Sequence, residues 1–99
     1  PRFQPDNFDH NRSLVAKIEA MAAGKGCTPA QLTLAWLLAQ GDDIVAIPGT
    51  RYKQRLDENL GALRVSLSRD DVAAISAAVP KGAAAGLRYP AAGMKAVQV

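Results

Sequence analysis

The chain is short of the residues that build many kinds of site. Cys27 is its lone cysteine, so no internal disulfide can form, and a reducing, cytoplasmic setting is the expectation. No apolar run approaches the roughly 18 residues that span a bilayer. The opening PRFQPDNFDH is polar and carries acidic residues, so it reads as a loop and not as a signal peptide. His10 has no metal-ligand neighbour in sequence, and Cys27 before a Thr reads as a small buried hydrophobe, so no metal site is expected. Basic residues form no stripe of the kind that follows a nucleic-acid backbone.

What is present fits a folded segment. The hydrophobic fraction is 48% and the charged fraction 21%, which excludes a disordered tail. A net charge of +3 is a small excess, much of it gathered in one place between 51 and 55.

Residues 1–8 read as a loop, with Asn7 or Asp9 able to cap a helix over 9–23. Leu14, Val15, Ile18, Met21 and Ala22 give that helix one apolar face, and Gly24 and Gly26 end it. A second helix, 29–40, has a complete start signal. Thr28 is its N-cap, Pro29 its first residue, and Gln31 closes a capping box. Its sequence LTLAWLLA is apolar almost all round, so burial on more than one side is expected, with Trp36 in the core. A third helix, 51–63, should bury Leu56, Leu60 and Leu63. The fourth, 69–79, is capped by Ser68, with Asp70 and Asp71 in its first turn and Val72, Ile75 and Val79 on its inner stripe. The tail, 80–99, shows no clear periodicity.

Between the second and third helices lies IVAI, at 44–47. It is too short and continuous for an amphipathic element and reads as a strand buried on both faces, as in a parallel sheet. One strand cannot satisfy its own backbone groups. The expected fold is therefore α/β with a parallel sheet, and this chain is expected to be the C-terminal part of a larger α/β protein.

The same stretch carries the main functional signal. The apolar run breaks at Pro48 and Gly49, and a helix start follows with Arg51, Lys53 and Arg55 close together. Cations oppose the partial positive charge of a helix N-terminus, unless an anion sits among them. A strand, a glycine turn and a cation-rich helix start are the ingredients of a phosphate site. A plainer reading is a solvated helix face, with Lys53 pairing with Asp57 and Arg55 with Glu58.

Several motifs in order resemble one family. IPGTRYKQRLDENLGAL resembles the cofactor-binding signature near the C-terminus of aldo-keto reductases, and GCTPAQLTLAWLLAQ the helix before their last barrel strand. PRFQPDNFDHN, LSRDDVAAISAAVP and the GLRYP tail are similar too. The resemblance implies a (β/α)8 barrel with 44–47 as its eighth strand, a cofactor, NADPH, and a carbonyl substrate. It implies that Arg51 and Arg55 grip the 2′-phosphate with help from Thr50, that Glu58 and Asn59 reach the adenine edge, and that Gly49 lets the backbone pass close to the cofactor. Many relatives carry Lys-Ser where this chain has Gly49-Thr50, so one direct cation is missing.

The family's catalytic Asp, Tyr, Lys and His have no match here, so no catalytic residue is expected in this chain. Arg88, Tyr89 and Pro90 read either as an inert tail or, since C-terminal loops line the substrate site in the family, as a lid over that pocket. The alternative is a self-standing, non-catalytic helical module that self-associates, pairing 44–47 with another copy, or binds a partner protein.

Overall fold

A computed structural model of the chain describes residues 1–97. The elements run α1 (Pro5–Lys25), α2 (Pro29–Leu38), α3 (Lys53–Leu60), a 3-10 turn (Gly61–Arg64), α4 (Arg69–Ala78) and α5 (Ala91–Met94). Helix α2 is the centre of the arrangement. It packs on α1 along one flank and on α3 with the 3-10 turn along another, while α4 closes against α1. Among the described residues no helix is long and apolar enough to cross a membrane.

Helix α1 starts four residues before the 9–23 expected from sequence. Pro5 at the first helical position carries a φ already suited to the helix, and Gln4 takes the N-cap place with extended backbone and no side-chain cap bond. Asn7 and Asp9 therefore lie inside the helix and cap nothing; Asn7 Nδ2 donates instead to the Pro1 carbonyl at 2.7 Å. At the other end the helix runs through Gly24 to Lys25, two residues past the expected 23, and Gly26 alone ends it. Gly26 adopts φ 69°, and Cys27 N donates back to the Ala22 carbonyl at 3.0 Å, the closure that a left-handed glycine permits.

Helix α2 begins as the sequence indicates. Gln31 N donates to Thr28 Oγ1 at 3.2 Å and Thr28 N to Gln31 Oε1 at 3.0 Å, so both halves of the capping box are made. Ser68 and Asp71 repeat the device at α4. Leu32 is 1% exposed and packs with Ala22 of α1 and Ile75 of α4, with Ile18, Met21, Trp36 and Leu67 around them. Trp36 is half-buried, not fully enclosed, because its ring N–H reaches Ser76 Oγ at 2.9 Å on α4.

The strand expected at 44–47 is absent: among the described residues no segment is in a strand. The physical reason is that a strand exists only through a neighbour's backbone, and among the described residues no other segment pairs with it. Its side chains confirm the lack of cover, with Val45 80% and Ile47 93% exposed. The third helix is also shorter than 51–63. Arg51 and Tyr52 precede it in irregular backbone, and the last turn tightens to 3-10 geometry at Gly61. Leu56, Leu60 and Leu63, expected in the core, are exposed. They line an open apolar groove with Leu34, Leu38 and Val45. Val15 is likewise exposed rather than buried.

The tail is tied down by polar groups that its sequence does not announce. Ala85 N donates to Asn11 Oδ1 at 2.6 Å, and Asn11 Nδ2 returns a bond to Ala85 O at 2.9 Å. His10 Nε2 donates to Ala83 O at 2.8 Å. Gly86 follows at φ 86°, where a Cβ would stand 2.8 Å from both the Pro1 carbonyl oxygen and Asn7 Nδ2. The chain then forms the short α5.

Two outcomes follow from these contacts. Asn11→Ala removes both bonds to Ala85, so trypsin should cut after Lys81 or Arg88 several-fold faster, with the melting temperature of the helices little changed; an unchanged cleavage rate would show that Asn11 does not hold the tail. At the α1–α4 junction, the Lys25 ammonium and the Ser68 backbone N–H hold the Asp71 carboxyl below its ordinary 3.8. A depressed carboxylate stabilises the fold above the unfolded value and loses that contribution as pH falls through 3.8 towards the folded pKa. Asp71→Asn should therefore lower the melting temperature at neutral pH, and the gap to wild type should close in acid below that value. A gap that stays constant with pH would remove Asp71 from the account.

Candidate functional site

The cation cluster sits where an apolar segment turns into a short helix. Pro48 and Gly49 break the extended run, and Thr50 shapes the next step. Its hydroxyl accepts from Tyr52 N and donates to Tyr52 O, both at 3.3 Å, a local turn that competes with helix formation. Helix α3 then begins at Lys53 with Tyr52 as N-cap, no side-chain cap bond, and no acidic residue in its first turn. The exposed N–H groups of that turn and the positive end of the helix are thus not offset by the protein itself.

The cations differ in their partners. Lys53 Nζ lies 3.0 Å from Asp57 Oδ2, the i,i+4 pairing anticipated for a solvated helix face. Arg51 extends over the Tyr52 ring, 5.7 Å from its centroid. Arg55 makes no ion pair among the described residues; the pairing with Glu58 is not formed. Arg51 and Arg55 are both exposed, so the site presents positive charge that no carboxylate cancels.

Glu58 and Asn59 stand half-buried on the last turn of α3. Asn59 and Gly49 border a common cleft of about 430 Å3, whose other walls include Val15, Thr33 and Leu34. Thr50, Arg51, Arg55 and Glu58 are not among its walls. At Gly49 an added Cβ would meet nothing within 4 Å, so the backbone there is open to an approaching group. The structure therefore joins Gly49 to Asn59 across the cleft and leaves the arginines on the outer surface beside it. Metal chemistry has no obvious donor set, since no group of three or more His, Cys, Asp or Glu gathers among the described residues.

Two contributors escape sequence reasoning. Tyr52 lies under Arg51, a contact legible only as adjacency. Gln31 announces itself as a capping residue, yet its Nε2 also donates to the Glu58 carbonyl at 2.9 Å. Nothing in the sequence signals that bond, which joins residues 27 positions apart.

Comparison with known proteins gives a consistent result. Residues 1–80 match the Aldo/keto reductase family. The chain is 52% identical over 89 residues to probable aldo-keto reductase 1 of Glycine max, an alignment covering 90% of this chain and 26% of that protein. It is 52% identical over 90 residues to the aldo-keto reductase yakc of Schizosaccharomyces pombe, whose name specifies NADP(+), covering 91% of this chain and 26% of that one. The chain thus spans about a quarter of the length of the curated relatives it matches. The family implies a (β/α)8 barrel for the whole protein, in which 44–47 would have its missing neighbours. With just over half of the aligned residues identical across nearly its whole length, this chain belongs to the Aldo/keto reductase family.

Proposed function

We propose that this segment is the NADPH-clamping end of an oxidoreductase that reduces aldehydes or ketones. The observation that carries the reading is the pair of exposed, unpaired arginines, Arg51 and Arg55, flanking an uncapped helix start beside the cleft of Gly49 and Asn59. Arg51 and Arg55 hold the 2′-phosphate, aided by N–H groups of the first turn of α3. Thr50, already committed to the Tyr52 backbone, shapes the loop and adds its hydroxyl only secondarily. Glu58 and Asn59 face the adenine edge. Gly49 leaves the backbone open for close approach. When bound, NADPH supplies a hydride to a carbonyl carbon; the proton comes from a tyrosine outside these residues.

The donor set suits a phosphate better than a neutral group. Helix-start cations are unfavourable until an anion joins them; Asp57 pairs with Lys53, and no carboxylate among the described residues pairs with Arg51 or Arg55. A relative whose name specifies NADP(+) supports the same assignment.

A self-standing helical module is less well supported. Val45, Ile47 and Leu63 lie largely exposed, a surface that a solitary monomer would bury. The radius of gyration is 14.8 Å, against about 13 Å for a compact domain of this length. Both features suit a segment that packs against the remainder of a barrel.

Charge-assisted bonds to a phosphate are worth about 1.5–3 kcal/mol each. In the intact barrel, Arg55→Ala should raise the NADPH dissociation constant roughly tenfold or more and leave NADH nearly unchanged. Fluorescence titration with each cofactor reads this directly. Equal losses for both cofactors would sink the assignment.

A further inference from the structure

We propose that Gln31 is a positioning residue for the cofactor clamp: it ties the cap of α2 to the main chain of α3 at Glu58 and so sets where Arg55, Glu58 and Asn59 stand. This rests on the clamp reading above.

The two halves of the Gln31 amide have separate tasks. Oε1 accepts from Thr28 N at 3.0 Å and closes the capping box. Nε2 donates to Glu58 O at 2.9 Å. A capping box needs only an acceptor at this position, and glutamate serves as well as glutamine. The N–H half is therefore surplus to capping and is aimed at another helix. Its target lies in the last turn of α3, where the Glu58 carbonyl also accepts from the Gly61 backbone N–H.

Gly61 makes the approach possible. A Cβ there would stand 2.3 Å from Gln31 Nε2 and 3.2 Å from Cδ. Gly61 has ordinary helical backbone, φ −60° and ψ −20°, so conformation does not demand glycine; the space taken by Gln31 does. The pair forms a fitted joint, with Gly61 buried and Gln31 half-buried.

Helix α3 depends on such a joint. It is 8 residues long, uncapped, and starts with charge of the wrong sign. Helices below about 12–15 residues are marginal by themselves. Its geometry is therefore set from outside, and Gln31 is the polar contact from α2 that fixes it along its axis.

Three variants of the full protein containing this segment test the inference, each titrated with NADPH and NADH and melted in parallel. Gln31→Glu keeps the capping acceptor but loses the donor and sets a carboxylate against the Glu58 carbonyl. Thr28→Ala breaks the capping box and leaves the bond to Glu58. Gly61→Ala pushes Nε2 away from Glu58 without altering Gln31. Gln31→Glu and Gly61→Ala should each weaken NADPH about fivefold, the scale of one neutral hydrogen bond, and NADH less. Thr28→Ala should lower the melting temperature while leaving the preference for NADPH intact. In a Gln31→Ala background, Gly61→Ala should have little further effect. Wild-type NADPH affinity in folded Gln31→Glu and Gly61→Ala proteins would overturn the inference, as would an equal loss in Thr28→Ala. If Arg55→Ala weakens NADPH and these variants do not, only the positioning role fails. If Arg55→Ala leaves NADPH unaffected, the clamp reading fails and this inference with it.

Discussion

Leu32 is the contact on which the other helices depend. It is 1% exposed, with the fully buried Ala22 of α1 beneath it and Ile75 of α4 beside it. Ala22 matters through its smallness, because it lets α1 approach α2 closely enough to seal Leu32 from water. Fully burying a leucine is worth about 1.5–3 kcal/mol, and here that gain fixes α1, α2 and α4 at once. The buried core among the described residues is nonetheless thin: Leu14, Leu32 and Ile75 are its large members, and the rest are Ala22, Ala35 and Ala62. Polar ties extend it at the margins. Lys25 meets Asp71 between α1 and α4, Trp36 meets Ser76 between α2 and α4, and Gln31 meets Glu58 between α2 and α3.

A thin core and a wide exposed apolar surface are two sides of one fact. Val45, Ile47, Leu56, Leu60 and Leu63 have the composition of a barrel interior and its helix-facing layer, yet they look outward. In a (β/α)8 barrel each strand is covered by helices on the outside and by barrel-filling side chains on the inside. Among the described residues the helices are present and the sheet is not. The segment 44–47 thus has the apolar composition expected of a buried strand, and among the described residues it pairs with no other segment.

That contrast marks what the sequence can reveal. Signals that act within a few residues were legible. The capping boxes at Thr28–Gln31 and Ser68–Asp71 and the left-handed Gly26 all stand as their residue types require. The cation cluster was legible too, because charge at a helix start is a local anomaly. Elements that depend on distant partners were not. The strand at 44–47 needs neighbours that these residues do not provide, and the inward face of α3 needs a wall. Asn7 could have capped α1, but Pro5 starts the helix earlier and Asn7 turns to the Pro1 carbonyl. The clasp of Asn11 on Ala85 joins residues 74 apart and has no signature in either sequence context.

The proposed cofactor site inherits both kinds of information. Its charges are local: Arg51 and Arg55 present a positive surface whatever the rest of the chain does. Its geometry is not local, because α3 lacks the length, the cap and the charge order to hold itself in place. A clamp on a short, self-destabilised helix gains selectivity only if something else makes that helix rigid, since each bond to a phosphate must exceed the entropy of ordering its donors. The chain meets this condition by docking α3 on α2, the element at the centre of its core, through one amide that also closes the cap of α2. On the proposed reading, the cap of α2 and the placement of the clamp share a single residue, Gln31. On the same proposed reading, selectivity for a phosphorylated cofactor rests on two separable parts of this segment: the arginines that supply charge, and the Gln31–Gly61 joint that determines where the charge is held.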